Sequence, residues 1–323
     1  MIRVIQVKEF GGPEVLKWVE INLGEPGPGE ARIVHKAVGL NFIDTYRRSG
    51  LYPIDLPSGL GTEASGIVTS VGPDVHHVAP GDRVAYAMGP QGSYSEERIM
   101  PAKWLVKLPE DISDEIAASM MLKGLTSWYL LRQTYSVQPG EWILLYAAAG
   151  GVGLIAAQWA RKLGAHVIGV VSTEEKRQLA LNHGCETVLL TTDDIVTKVR
   201  NLTGGEGVPV VYDPVGKDTL ITSLDCLRAR GLLVSFGNAS GPVEGLNLLE
   251  LAKRDSLYVT RPGLWTYVKN REDLEAGCAD LFKQVLGGHI DIKIGQRFDL
   301  CDAADAHRAL TSRRTIGSSV LLP

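Results

Sequence analysis

Trp142-Ile143-Leu144-Leu145-Tyr146-Ala147-Ala148-Ala149-Gly150-Gly151-Val152-Gly153 decides the fold of this chain. Trp142 to Tyr146 is an apolar run of strand length. Beyond the glycines, Val152, Ile155, Ala156, Trp159 and Leu163 fall at i, i+3, i+4, i+7 and i+11, one face of a helix. Gly164 stands where a helix C-terminal cap belongs.

Mapped onto Gly-x-Gly-x-x-Gly, the segment Ala148 to Gly153 has alanine for the first glycine and keeps the other two. Alone the pattern is weak. Between a strand and a helix it reads as a dinucleotide turn. Gly150 lets the backbone approach a pyrophosphate, and Gly153 lets the helix lie close to the strand. The helix N-terminus supplies N–H groups and a partial positive charge. Ala149, Gly150, Gly151, Val152 and Gly153 are the expected contacts; a tight turn without ligand is the bland alternative.

The second strand, His166 to Val171, runs on into Ser172 and Thr173. An NAD site carries an acid at this tip to bind the ribose 2′-hydroxyl. Here Glu174 and Glu175 come later and start a helix, followed by Lys176 and Arg177. A hydroxyl at Ser172 and a cation at Lys176 suit a 2′-phosphate, so NADPH is the expected cofactor. One charge-assisted hydrogen bond is worth about 1.5–3 kcal/mol, roughly tenfold to a hundredfold in preference. Two solvated helix charges are the alternative, and the choice stays open at this point.

Outward from this segment, helix Glu174 to His183, strand Val208 to Tyr212, helix Asp218 to Arg228 and strands Leu232 to Phe236 and Leu257 to Thr260 continue the alternation. Alternating strands and helices imply a parallel, doubly wound sheet. The first 110 or so residues are β-rich, with turn chemistry at Gly11-Gly12-Pro13 and Pro80-Gly81-Asp82 and one short helix, Phe42 to Arg48. The tail predicts a long helix, a strand near Gln296 to Leu300, a helix Ala303 to Leu310 and a strand Ser318 to Leu322. The expected division is a β-rich domain over 1–124 and 262–323 around a cofactor domain over 125–261.

A net charge of −4 argues against a nucleic-acid partner. No run approaches the roughly 18 apolar residues of a membrane span, and the alternating N-terminus does not read as a signal peptide. The four cysteines include no Cys-x-x-Cys pair, so reduced, buried cysteines in a cytoplasmic protein are expected.

The order of β-rich domain, inserted dinucleotide domain and return resembles the medium-chain dehydrogenase/reductases. Within them the chain is similar to the zeta-crystallin-like quinone oxidoreductases, the bacterial NADPH:quinone reductases most of all. The resemblance rests on Gly39 to Tyr46, Gly59 to Glu63, Lys123 to Thr126, Ala147 to Gly153, Val211 to Asp213 and Val234 to Asn238. It implies an α/β chain with a GroES-like catalytic domain and a Rossmann domain. The zinc alcohol dehydrogenases carry a cysteine where Asn41 stands and Gly-His-Glu where Gly61-Thr62-Glu63 stands. Two zinc ligands are thus missing, no metal is expected, and Glu63 alone is read as structural. Without a Lewis acid, alcohol oxidation is disfavoured, whereas a quinone is already a good electron acceptor.

The resemblance also implies site residues. Asn41, Asp44 and Tyr46 belong near the nicotinamide, with helix capping as the plain role of Asn41. Asn41, Tyr46 and Tyr52 are the catalytic candidates, the tyrosines offering rings to a flat quinone or merely packing. Thr126, Phe236, Gly237, Asn238, Arg261 and Arg313 (or Arg314) match cofactor positions. Arg48 and Lys123 are left between pocket and surface, and Thr191 replaces a tyrosine associated with the adenosine phosphate. No histidine receives a catalytic role. The rivals are an NADPH-dependent enone or enal reductase and a crystallin-like NADPH-binding structural protein. A homodimer is expected, with Leu257 to Thr260 as a pairing edge.

Overall fold

The computed structural model describes residues 1–323. Two compact units divide the chain. One comprises Met1–Lys123, Asn270–Phe282 and Ile292–Pro323; the other comprises Gly124–Lys269 and Lys283–Asp291.

The first unit begins with β1 (Ile2–Val7), β2 (Lys17–Ile21), β3 (Glu30–Leu40), α1 (Phe42–Arg48) and β4 (Ser58–Gly59). It continues through β5 (Ala64–Val71), β6 (Arg83–Tyr86), β7 (Glu97–Pro101) and β8 (Val106–Lys107) into α2 (Asp114–Tyr129), within which the division falls. β2, β1 and β4 form a small sheet. β3 lies centrally in the larger one, antiparallel to both β5 and β7. Ile33, Val38, Leu40, Leu60, Val84, Met100 and Leu105 are fully buried in its core.

The second unit carries β9 (Trp142–Tyr146), α3 (Gly151–Lys162), β10 (His166–Val171), α4 (Glu174–Asn182), β11 (Thr187–Leu190) and α5 (Ile195–Leu202). It proceeds through β12 (Val208–Asp213), α6 (Leu220–Asp225), β13 (Leu227–Ser235), α7 (Leu249–Ala252), β14 (Tyr258–Thr260) and α8 (Leu264–Tyr267). Its sheet runs β11-β10-β9-β12-β13-β14, all parallel. The order reverses between β9 and β12, where such sheets bind ligands beyond the strand ends. Leu144, Ile168, Val170, Val211 and Leu233 fill the core, as expected of strands covered on both faces.

The chain ends with α9 (Arg271–Leu286), β15 (Ile294–Asp299), α10 (Ala303–Thr311) and β16 (Ser318–Leu322), the last strand antiparallel to β3.

Several local expectations need correction. The helix expected over Asp218 to Arg228 stops at Asp225, because Leu227 already pairs with Val208 in the β12–β13 ladder. The register shifts there, and Arg230 adopts a left-handed φ of 56° before Gly231. Val152 on α3 and Leu163 at its C-cap are only half-buried while Leu154, Ala157 and Ala160 are sealed, so more of the helix is covered than one stripe. Cys301 is exposed; the other three cysteines are buried.

Candidate functional site

In the second unit the dinucleotide turn is built by backbone fit. Ala147 takes a left-handed φ of 53° to leave β9. Gly150 then caps α3, whose first intrahelical bond runs from Leu154 N–H to Gly150 O at 2.9 Å. The preceding N–H groups, those of Gly151, Val152 and Gly153, open the helix where an anion binds. A Cβ on Gly153 would collide with Ala147 O and lie 2.7 Å from Ala148 Cα. Gly153 therefore sets how closely the helix meets the strand. A Cβ on Gly150 would meet only Ala147 O, at 3.2 Å. Ala149 is buried behind the turn. These features fit a pyrophosphate.

At the tip of β10, Ser172 is exposed and accepts from Lys176 Nζ at 3.4 Å. Thr173 caps α4 by accepting from Lys176 N–H at 3.3 Å. The cap points the first turn of α4, and Lys176 with it, back toward Ser172. Arg177 instead pairs with Glu174 (3.0 Å) and Asp193 (3.7 Å). Thr191 N–H bonds Val171 O at 2.9 Å, which places Thr191 beside the same tip.

Phe236, Gly237 and Asn238 follow β13. The close approach that Gly237 permits is to Pro214, whose carbonyl oxygen a Cβ there would strike. Arg261 Nη1 donates to Ser235 Oγ (3.2 Å) and Gly237 O (2.8 Å), so it braces this strand end. Asp213 organises the neighbouring end. Buried, it accepts from Val215 N–H, Gly216 N–H, Thr219 Oγ1 and Ser223 Oγ at 2.7–3.1 Å. Thr126 is half-buried on α2.

In the first unit, β3 delivers Asn41 as the cap of α1. Asp44 accepts from Asn41 N–H at 3.0 Å, closing a capping box. The Asn41 amide donates to Glu63 Oε2 at 2.8 Å. Glu63 is fully buried and also accepts from Leu122 N–H (2.7 Å) and Lys123 Nζ (3.3 Å). Gly39 makes room for it, since a Cβ there would strike the Glu63 carboxylate. The capping role and a fixed side chain thus coexist in Asn41, and Lys123 is a buried ion-pair partner rather than a surface cation. Tyr46 and Tyr52 meet edge to face with ring centres 5.3 Å apart. Arg313 is exposed, with a left-handed φ of 59°; Arg314 bonds Ser312 Oγ at 3.0 Å.

Sequence reasoning missed a buried chain in this unit. Arg48 donates to Gly11 O (3.1 Å) and to His307 Nδ1 (3.0 Å). A guanidinium can only donate, so His307 Nδ1 accepts and its Nε2–H points to Tyr94 Oη at 3.1 Å. Tyr94 O–H then donates to Asp44 Oδ2 at 3.1 Å. Arg48 is therefore a brace between α1 and α10. Burial pushes Asp44 up to about 6, against the nearby Arg47 charge and the hydrogen bonds from Asn41 and Tyr94. Burial pushes His307 down to about 3, with the Arg48 charge acting in the same direction. Arg47 was not singled out either; its Nη1 is sealed from solvent with no hydrogen-bond partner. The sequence signal for these residues is faint, because His307 lies far along the chain from both Tyr94 and Arg48.

Nowhere do three His, Cys, Asp or Glu side chains come together in a geometry that could hold a metal ion. Residues 151–282 match the zinc-binding dehydrogenase family and residues 27–110 the alcohol dehydrogenase GroES-like domain. The chain is 55% identical to a quinone oxidoreductase of Pseudomonas aeruginosa over 325 residues, covering 100% of each. It is 46% identical to a 2-haloacrylate reductase of a Burkholderia species, over 100% of this chain and 99% of that one. The crystal structure of Escherichia coli quinone oxidoreductase complexed with NADPH superposes with a TM-score of 0.98 at 50% identity, over 99% of this chain and 100% of that one.

Proposed function

Because the chain belongs to the medium-chain dehydrogenase/reductase family, alongside its quinone oxidoreductases, we propose that it is an NADPH-dependent enzyme that reduces quinones without a zinc ion. The observation that carries the zinc-free part is the seat of Asn41, whose amide is committed to buried Glu63 at 2.8 Å. Thr62 beside it offers a hydroxyl, a poor zinc ligand. Ser172 and Lys176 carry the preference for NADPH.

When bound, NADPH supplies hydride from nicotinamide C4. The chain's own residues bind and orient. Ala149 to Gly153 hold the pyrophosphate at the α3 N-terminus, and Ser172 and Lys176 hold the 2′-phosphate. Phe236, Gly237, Asn238 and Arg261 line the cofactor from the β13 end, and Arg313 and Thr126 add contacts. Asn41, Asp44 and Tyr46 fix the nicotinamide end, and the Tyr46 and Tyr52 rings seat a flat acceptor. A substrate that is already electrophilic needs little beyond this positioning.

The likeness to a 2-haloacrylate reductase favours a second reading, an activated alkene as acceptor with the same hydride donor. Turnover of a benzoquinone against an alkyl enone and 2-chloroacrylate, each with NADPH, separates the two. The β14 edge, where Tyr258 is 59% and Val259 37% exposed, supports a homodimer paired along that strand. No helix is long and apolar enough to cross a membrane.

A further inference from the structure

We propose that Arg47 is a catalytic residue that donates a hydrogen bond to the acceptor's carbonyl oxygen as that oxygen becomes an oxyanion. The inference rests on the reading of the chain as a carbonyl-acceptor reductase and names the group that stabilises the charge. Two adjacent arginines close α1, and they differ in what their donors do. Arg48 commits its donors to Gly11 O and His307. Arg47 has a buried Nη1 with no hydrogen-bond partner. An unsatisfied buried donor costs about 1–3 kcal/mol, more when charged. An orphaned buried donor calls for an explanation, and a catalytic role completed by a ligand is one of them.

A second orphan lies at the other end of the same helix, in its capping box. Asp44 is fully buried, its Oδ2 accepts from Asn41 N–H and Tyr94, and its Oδ1 has no partner. The Asp44 and Arg47 charges act on each other, and the Tyr52 hydroxyl also acts on Arg47. A carboxylate thus steadies a guanidinium that still has a donor to give, beside the tyrosine expected to seat the acceptor. A carbonyl oxygen is the complementary group. When the acceptor takes hydride, the C–H bond at nicotinamide C4 breaks, the hydrogen and its two electrons end on the quinone as one O–H, and the other carbonyl oxygen becomes a phenolate. A proton from water completes the hydroquinone, and the cofactor is left oxidised. The developing charge falls on oxygen, where a preorganised donor acts most strongly.

The test uses the full-length holoenzyme and Arg47→Met, with Arg47→Lys and Arg47→Gln as gentler changes. Removing one such donor lowers kcat about a hundredfold to a thousandfold. NADPH affinity, read from nucleotide fluorescence, stays within about twofold, and Arg47→Lys falls between wild type and Arg47→Met. With NADP bound, 4-nitrophenol serves as a phenolate probe. Its colour develops at lower pH on the wild type than on Arg47→Met or Arg47→Gln. A kcat within about threefold of wild type, or NADPH affinity lost by the same factor as kcat, overturns the proposal, as does unchanged ionisation of the bound phenol. If the wild type reduces enones and not quinones, the substrate reading fails while Arg47 is judged on the enolate oxygen of the enone.

Discussion

Glu63→Gln is a sharp test of how the first unit holds its candidate site. The substitution preserves shape and removes one charge. Glu63 is fully buried, and its Oε2 takes hydrogen bonds from Asn41 Nδ2 at 2.8 Å and Lys123 Nζ at 3.3 Å. A glutamine can still accept from Leu122 N–H through one oxygen, but its NH2 then faces two other donors. Lys123, itself buried, loses the carboxylate it is bonded to. Removing one partner of a buried pair costs about 3–5 kcal/mol. With a urea slope of about 3 kcal/mol/M, the midpoint falls by about 1–1.7 M. Replacing both ends also removes the buried charge, so Glu63→Gln with Lys123→Met is more stable than Glu63→Gln alone. Urea titration followed by tryptophan fluorescence measures all four proteins of the cycle. A loss below about 1 kcal/mol for Glu63→Gln, or simple additivity in the double variant, refutes the reasoning.

Further outcomes follow from the same geometry. Lys176→Ala weakens NADPH by about tenfold to a hundredfold and leaves NADH nearly unchanged, in a titration of both nucleotides; equal losses remove Lys176 from the 2′-phosphate site. Activity survives dialysis against a chelator, whereas loss restored by zinc contradicts the metal-free reading. His35 and His307 are held near 3 by burial, so the unfolded chain binds their protons first and stability falls as pH drops below about 6.5. Asp44, raised to about 6, acts oppositely: its stabilisation is present at low pH and lost as pH rises through about 6. Two imidazoles over the wider window outweigh one carboxyl, so the urea midpoint is lower at about pH 5 than at about pH 7, and His307→Gln flattens that slope. Val259→Lys, at the exposed sheet edge, shifts the chain towards monomer in size-exclusion chromatography if β14 is the pairing strand.

What the sequence made legible was local. The run Trp142 to Tyr146 is a strand with those bounds, and Phe42–Arg48 and Ser318–Leu322 are a helix and a strand with those bounds. In each case apolar spacing and turn chemistry agree with the tertiary setting. β11 and α5 were not read, because Thr187–Leu190 is only four residues long and α5 has no strong boundary signal beyond Asp194. The segment after Asp225 reads as helix but is strand, since pairing with Val208 overrides a helical composition. At the site, the glycine turn was readable because its chemistry is contiguous. Arg47 was not, because its distinction from Arg48 depends on which donors find partners in space. The Tyr94–His307 contact was equally hidden, since it joins residues 213 positions apart.

The most direct test of the account is kcat/KM for a benzoquinone and for an alkyl enone, each with NADPH and with NADH, on one preparation of the metal-free protein. The benzoquinone with NADPH is expected to be the preferred pair, by at least about tenfold over the same quinone with NADH. Preference for the enone, equal use of both nucleotides, or quinone turnover that appears only when zinc is added would contradict it.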